Sequence, residues 1–337
     1  MRLDFSNNHY KELLEQIAEK SQQQTVYQKL HTPAEAFLLI VKGLPEEDLD
    51  NLCEMLKQEG DVYGTQDWYQ VIQGNGKLFE RLPQTVSELI YSTAKKCIKQ
   101  GKNVGSHTTP DGRFNTSSWI SHSLFEAELA GNIAELIGEK RETAETLGIL
   151  HDIGRKKSHN FRHVTLGFEI LADEDGNWIN EAPITLTHSF INSGRCTCCD
   201  KAEDGFSVDE FGKPEWESEI FKDDVTHFLE SYNYSVYDDI INISDLMATG
   251  KGIVSPLDRV NDIATRKAPD VTNRSLFLSE FINKLNEFLV RMGHKTSPKL
   301  TNATQSIDDL QQEFESVSVE FFEHYKEDLS SLRNRDK

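Results

Sequence analysis

Apolar residues recur at helical spacing along almost the whole chain, and this period limits the available folds more than any other feature. Tyr10, Leu13, Leu14 and Ile17 share one face at the i, i+3, i+4, i+7 spacing. Thr32-Pro33-Ala34-Glu35 supplies an N-cap, a proline at the first helical position and a glutamate at N3. Phe37, Leu38 and Val41 follow, ahead of Gly43. Pro45 opens another helix, with Leu49, Leu52, Cys53 and Leu56 as its stripe and Gly60 as its stop, and a fourth runs over about 83–100. Further helical patterns fall at about 118–137, 141–153, 161–172, 182–191, 218–231, 236–248, 256–266, 274–292 and 307–333. Strand signals are nearly absent, so an all-α fold is expected.

Residues 101–117 concentrate Gly, Pro, Ser, Thr and Asn without an apolar period, which marks a boundary. The expected organisation is an N-terminal helical lobe at 1–110, a central domain at 111–270 and C-terminal helices at 271–337 packed on the rest. Residues 192–217, with three cysteines and an acidic run, read as an insertion in the central domain. The 337 residues are 37% hydrophobic, enough for one large core or two modest ones. Lys and Arg number 36 against 56 Asp and Glu, and the net charge of −20 argues against general nucleic-acid binding. The longest strongly apolar run, Ala36 to Val41, is far too short for a membrane span, and no basic-then-apolar leader opens the chain. Five cysteines, two of them isolated in helical stripes, make no disulfide framework. A cytoplasmic protein is expected.

His122, His151, His159, His163 and His188 crowd into a stretch where chance would place roughly two of the eleven histidines. Any one of them could be a satisfied core histidine; together they suggest a metal. His151 continues the inward stripe Ala144, Leu147, Gly148 and is followed by Asp152. His122 lies on the preceding apolar helix, SWISHSLFEAELAGNIAELIG, and Asp245 on a later one, YDDIINISDLMATG. An aspartate inside an apolar helix costs several kcal/mol unless paired, and a divalent cation is a partner that two histidines and two carboxylates can share.

These residues resemble the HD superfamily of metal-dependent phosphohydrolases, whose motif H…HD…D lies on successive helices of an all-α domain. The likeness covers about residues 118–266, through His122, the HD pair in TLGILHDIGR and Asp245 in ISDLMATGKGIVSPLDRVNDIATR. His163 in FRHVTLGFEIL and His188 in ITLTHSF match the two histidines that complete a second metal site in the binuclear subset. His159, one turn earlier, competes with His163, which is favoured by the Gly167-Phe168-Glu169-Ile170-Leu171 that follows it. The resemblance implies an HD-type helical bundle holding one or two divalent ions, of Fe, Mn, Zn, Co, Ni or Mg. It implies His122, His151, Asp152 and Asp245 as ligands of the first, with His163 and His188 joining a bridging, catalytically essential Asp152 at the second. The reaction implied is phosphoester hydrolysis on a nucleotide or other small phosphorylated metabolite. The Gly-Tyr-Pro signature of cyclic-dinucleotide relatives does not follow Asp152. The same six ligands also serve di-iron oxygenases, and a non-catalytic nucleotide-sensing module is a third reading.

An acidic protein must gather positive charge locally to hold a phosphate, and Arg155-Lys156-Lys157 is the nearest cluster. Arg155 is the expected substrate contact, although cations there equally suit a helix C-terminus. Arg162, Lys251, Arg259 and Arg266 are weaker candidates. Cys196, Cys198 and Cys199 hold a C-x-x-C spacing but too few partners for a four-ligand zinc, so free thiols on a surface flap are expected. Tyr232, Tyr234 and Tyr237 could stack on a base but suit a core equally well. The partners expected are a small phosphorylated substrate and a second copy of the chain through the helical lobes, with no membrane.

Overall fold

The computed structural model describes residues 8–42, 84–100, 119–157, 162–174, 177–191, 220, 222–266, 274–295 and 306–335. The expected helix over 45–60, the boundary at 101–117, His159 and the cysteine-bearing insertion lie outside the described residues. The architecture is all-α. In chain order the helices are α1 (Asn8–Gln22), α2 (Pro33–Val41), α3 (Gln84–Lys99), α4 (Trp119–Leu136), α5 (Arg141–Leu150), α6 (His163–Asp173) and α7 (Pro183–Thr187). They continue with α8 (Lys222–Ser231), α9 (Val236–Asp245), α10 (Pro256–Arg266), α11 (Arg274–Arg291) and α12 (Ile307–Arg335). Among the described residues no helix is long and apolar enough to cross a membrane.

Local chemistry explains several of these boundaries. At α2, Thr32 Oγ1 accepts from the Glu35 amide at 3.3 Å and the Glu35 carboxylate accepts from the Thr32 amide at 2.7 Å, closing the capping box. Ser235 and Asp238 repeat this device at α9. The pattern over 141–153 overshoots: α5 stops at Leu150, His151 is its C-cap, and Ile153–Lys156 tightens into a 3₁₀ turn. The pattern over 182–191 shrinks to α7, because the Asn242 amide donates to the carbonyls of Thr187, His188 and Phe190 at 2.9, 2.8 and 3.2 Å. Those bonds satisfy groups that a helix end leaves orphaned and fix a turn in their place. After α9 comes a hairpin of two-residue strands, Ala248–Thr249 against Gly252–Ile253, too short to leave an alternating pattern.

One contiguous core runs from Tyr10 to Tyr325. Helix α4 packs against α5, α9 contacts both, and α2 packs against α5. Helix α2 buries Ala34 and every residue from Ala36 to Val41, which explains the strongest apolar run in the chain. Its C-terminal carbonyls are held from the 3₁₀ turn: Lys156 Nζ donates to Leu39 O at 2.9 Å and also to Lys42 O. At its other end His31 stacks on Trp178 at 3.7 Å, and both its amide and Nδ1 meet the buried Glu181 carboxylate. Tyr232 and Tyr234 belong to the interior; Tyr232 and Tyr27 donate to the buried Asp238 at 3.3 and 2.6 Å.

Two glycines permit the contacts on which the central helices depend. A Cβ at Gly148 would sit 2.8 Å from Ala127 Cα, so its absence lets α5 lie against α4. A Cβ at Gly154 would sit 1.8 Å from His163 O and 2.7 Å from Gly167 N. Both are backbone atoms, which cannot swing aside as a side-chain tip would. Gly154→Ala should therefore push the 3₁₀ turn away from α6 and cost about 3 kcal/mol or more, as overpacking against rigid neighbours does. Thermal melting should fall by at least about 5 °C; an unchanged midpoint would contradict this packing.

Candidate metal centre

Six side chains from five segments converge where α4, α5, α6, α7 and α9 meet. His122 lies in the first half of α4, His151 and Asp152 close α5, His163 opens α6, His188 caps α7, and Asp245 ends α9. Helix ends supply five of them, so those backbones are held by packing while the side chains lie where a helix stops; His122 projects from within α4. His151 Nδ1 lies 2.7 Å from Gly148 O and His188 Nδ1 lies 3.2 Å from Ile184 O. A carbonyl only accepts, so both rings carry a proton on Nδ1 and turn Nε2 toward the cluster, where it can ligate once it holds no proton of its own. Five of the six residues are buried; Asp245 is the partly exposed member.

The contacts divide into two halves joined by Asp152. In the first, His122 Nε2 is 3.2 Å from His151 Nε2 and 3.0 Å from Asp245 Oδ1. Asp152 Oδ2 lies 3.5 Å from His151 Nε2 and 3.9 Å from His122 Nε2. In the second, Asp152 Oδ1 lies 3.1 Å from His163 Nε2 and 3.6 Å from His188 Nε2, which are 3.4 Å from each other. Ring nitrogens that face one another at this distance, with Nδ1 of His151 and His188 already fixed, suit a shared cation between them. Spacings of 3–4 Å are those of donors gathered around one ion at about 2.0–2.2 Å. Buried Asp152 Oδ1 has no hydrogen-bond partner, which is the behaviour of an oxygen aimed at a cation. The donor set of imidazoles and carboxylates without thiolate fits a divalent ion.

Glu126 completes the first half and was not anticipated. It stands on α4 one turn after His122, fully buried, with Oε2 2.8 Å from His151 Nε2 and 3.7 Å from His122 Nε2. The available signal was an acidic residue at i+4 from a candidate ligand, on the same face of an otherwise apolar helix.

Burial and neighbouring charge pull these groups apart. Burial pushes the Glu126 carboxyl up to about 8 despite His151 beside it. Burial works on Asp152 in the same direction, but Arg155, His151 and His163 outweigh it and hold the carboxyl well below the usual range. Asp245 is likewise held low against its burial by its contact with His122. Burial lowers His122 and, with the charge of His151, takes His188 down to about 3. His151 moves the other way: Glu126 and Asp152 raise it well above its ordinary value against the effect of burial.

Among the cations proposed to meet a phosphate, Arg155 is nearest, its Nε donating to Asp152 Oδ2 at 2.5 Å with the side chain 28% exposed. Lys156 is turned away to the end of α2, and Arg259 pairs with Asp262 at 3.2 Å.

Residues 119–196 match the family model for the HD domain. Proteins named Ribonuclease Y are similar over short stretches. That of Enterococcus faecalis is 39% identical over 103 residues, that of Campylobacter jejuni subsp. doylei 38% over 77, and that of Campylobacter curvus 47% over 53. These stretches make up 27%, 22% and 15% of this chain, and only 20%, 14% and 10% of the relatives. No solved structure matches the chain. The fold, the converging histidines and acids, and the family match agree that this chain carries an HD domain.

Proposed function

We propose that this protein is a metal-dependent phosphohydrolase that cleaves a phosphoester of a nucleotide or other small phosphorylated metabolite. His122, His151, Asp152 and Asp245 hold one divalent ion, and Asp152, His163 and His188 hold a second. The observation that carries this reading is the division of Asp152, whose Oδ2 faces one pair of imidazoles and whose Oδ1 faces the other. Divalent ions in such a site supply a water activated near neutral pH and charge to offset that building on a phosphoryl group. The chain's own part is to fix the donors and orient the substrate. Arg155 holds Asp152 in its bridging orientation, and its partly exposed guanidinium is the substrate contact. A cytoplasmic location and self-association through the helical lobes belong to the same proposal.

A second reading is favoured by the relatives' name: the phosphoester could be an RNA linkage. The net charge of −20 weighs against a broad nucleic-acid surface. Phosphate release from nucleotides and phosphorylated metabolites, set beside cleavage of a short single-stranded RNA, separates the two, with Mn²⁺ or Fe²⁺ added to metal-free protein.

Asp152→Ala should remove hydrolysis while circular dichroism stays helical. Loss of a metal's supporting partner alone usually costs 10- to 100-fold, so a folded variant retaining more than about a tenth of wild-type turnover would rule out the bridging role. His163→Ala and His188→Ala should each lower bound metal from about two ions to one, whereas His122→Ala and Asp245→Ala should compromise the other ion. Elemental analysis of reconstituted protein decides it. A wild-type maximum of one ion would return His163 and His188 to a core role.

A further inference from the structure

We infer that Glu126 is a fifth protein ligand of the half formed by His122, His151, Asp152 and Asp245, making that half the tighter and more closed of the two. This rests on the reading that the cluster holds divalent ions. Glu126 Oε1 is anchored by Ser244 Oγ at 3.4 Å, while Oε2 is buried without a hydrogen-bond partner, 2.8 Å from His151 Nε2. One alternative is that Glu126 only accepts a hydrogen bond from His151. His151 Nδ1 is already committed to Gly148 O, so a proton on Nε2 would leave the ring no lone pair with which to ligate. If His151 binds an ion through Nε2, it donates nothing to Glu126 Oε2, and that buried oxygen, 2.8 Å away, is left facing a cation at the same point. The ion facing His151 is that cation.

The consequence is asymmetry. Glu126 gives the first half five donors, three of them carboxylates, against three donors in the second, one of them the shared carboxylate. Five donors suit six-coordinate Mn²⁺ or Fe²⁺ better than tetrahedral Zn²⁺ and leave one open position. Substrate oxygen and water must then enter mainly on the side of His163 and His188.

The test is Mn²⁺ titration of the metal-free protein, reading free Mn²⁺ by electron paramagnetic resonance, with thermal melts taken with and without Mn²⁺. Wild type should bind two ions with distinct affinities, and His163→Ala should lose the weaker. Glu126→Gln keeps the shape and the Ser244 contact; it should weaken the tighter site 10- to 100-fold, leave the weaker unchanged and shrink the Mn²⁺-induced rise in melting temperature. Glu126→Asp, which retracts the oxygen by one methylene, should give the same selective loss and serves if the glutamine variant does not fold. Unchanged affinities in folded variants would overturn the ligand assignment while leaving the metal reading standing. So would loss of the site that His163→Ala removes, or a lower metal-free melting temperature with the Mn²⁺ shift intact. Absence of Mn²⁺ binding by wild type would overturn the metal reading itself.

Discussion

Asp152 is a carboxylate buried at the meeting point of four imidazoles, and much of the structure around it is arranged to make that position tenable. A lone buried carboxylate would be neutralised by desolvation. Here Arg155 and the histidines keep it ionised, and the histidines are presented by helices that must approach closely. Gly148 against Ala127 sets the distance between α4 and α5, hence between His122 and His151; Gly154 against the backbone of His163 and Gly167 sets the distance between the two halves. The polar centre therefore depends on apolar packing and missing side chains several residues from the ligands. The Asn242 amide does the same for His188 by gathering the carbonyls that end α7.

The helices were legible because their apolar stripes are long and regular: the patterns at 118–137, 256–266, 274–292 and 307–333 agree with α4, α10, α11 and α12 to within two residues. Errors collect where a tertiary contact overrides the period. Nothing near His151 announces that the helix tightens into a 3₁₀ turn, since the cause is the close approach of Gly154 to α6, a contact made from outside the segment. Similarly, Asn242 lies over fifty residues from the helix it shortens. The residues of the HD pattern could be read because their chemical types are unusual in apolar helices and their order matches a known motif, and the fold brings His122, His151, Asp152, His163, His188 and Asp245 together. Glu126 escaped because the motif contains no such residue; only its helical offset from His122 and its complete burial draw attention to it.

The cations tie α2 to the site. Lys156, which as a string of letters looks like part of a phosphate-binding cluster, instead holds the carbonyl end of α2, and burial lowers its ammonium to about 8. Helix α2 and the residues just before it are thus tied to the site through the 3₁₀ turn that carries Arg155 and begins two residues after the α5 cap, and through His31, which accepts from Thr146 of α5 and meets Glu181.

That arrangement also bears on how an acidic protein attracts an anionic substrate. Of the nearest cations, Lys156 faces away and Arg155 Nε is bound to Asp152, so little protein charge is committed to a phosphate. The cluster itself adds three carboxylates in Glu126, Asp152 and Asp245. Without ions, burial favours the neutral form of Glu126 while His151 is raised, so the centre offers a phosphoester no net positive charge; two divalent ions set against three ionised carboxylates leave about one positive charge, before Arg155 is counted. Under the proposed function, substrate binding and chemistry then share one requirement, and the metal-free protein should be poor at both, because the same ions that activate water also provide most of the attraction.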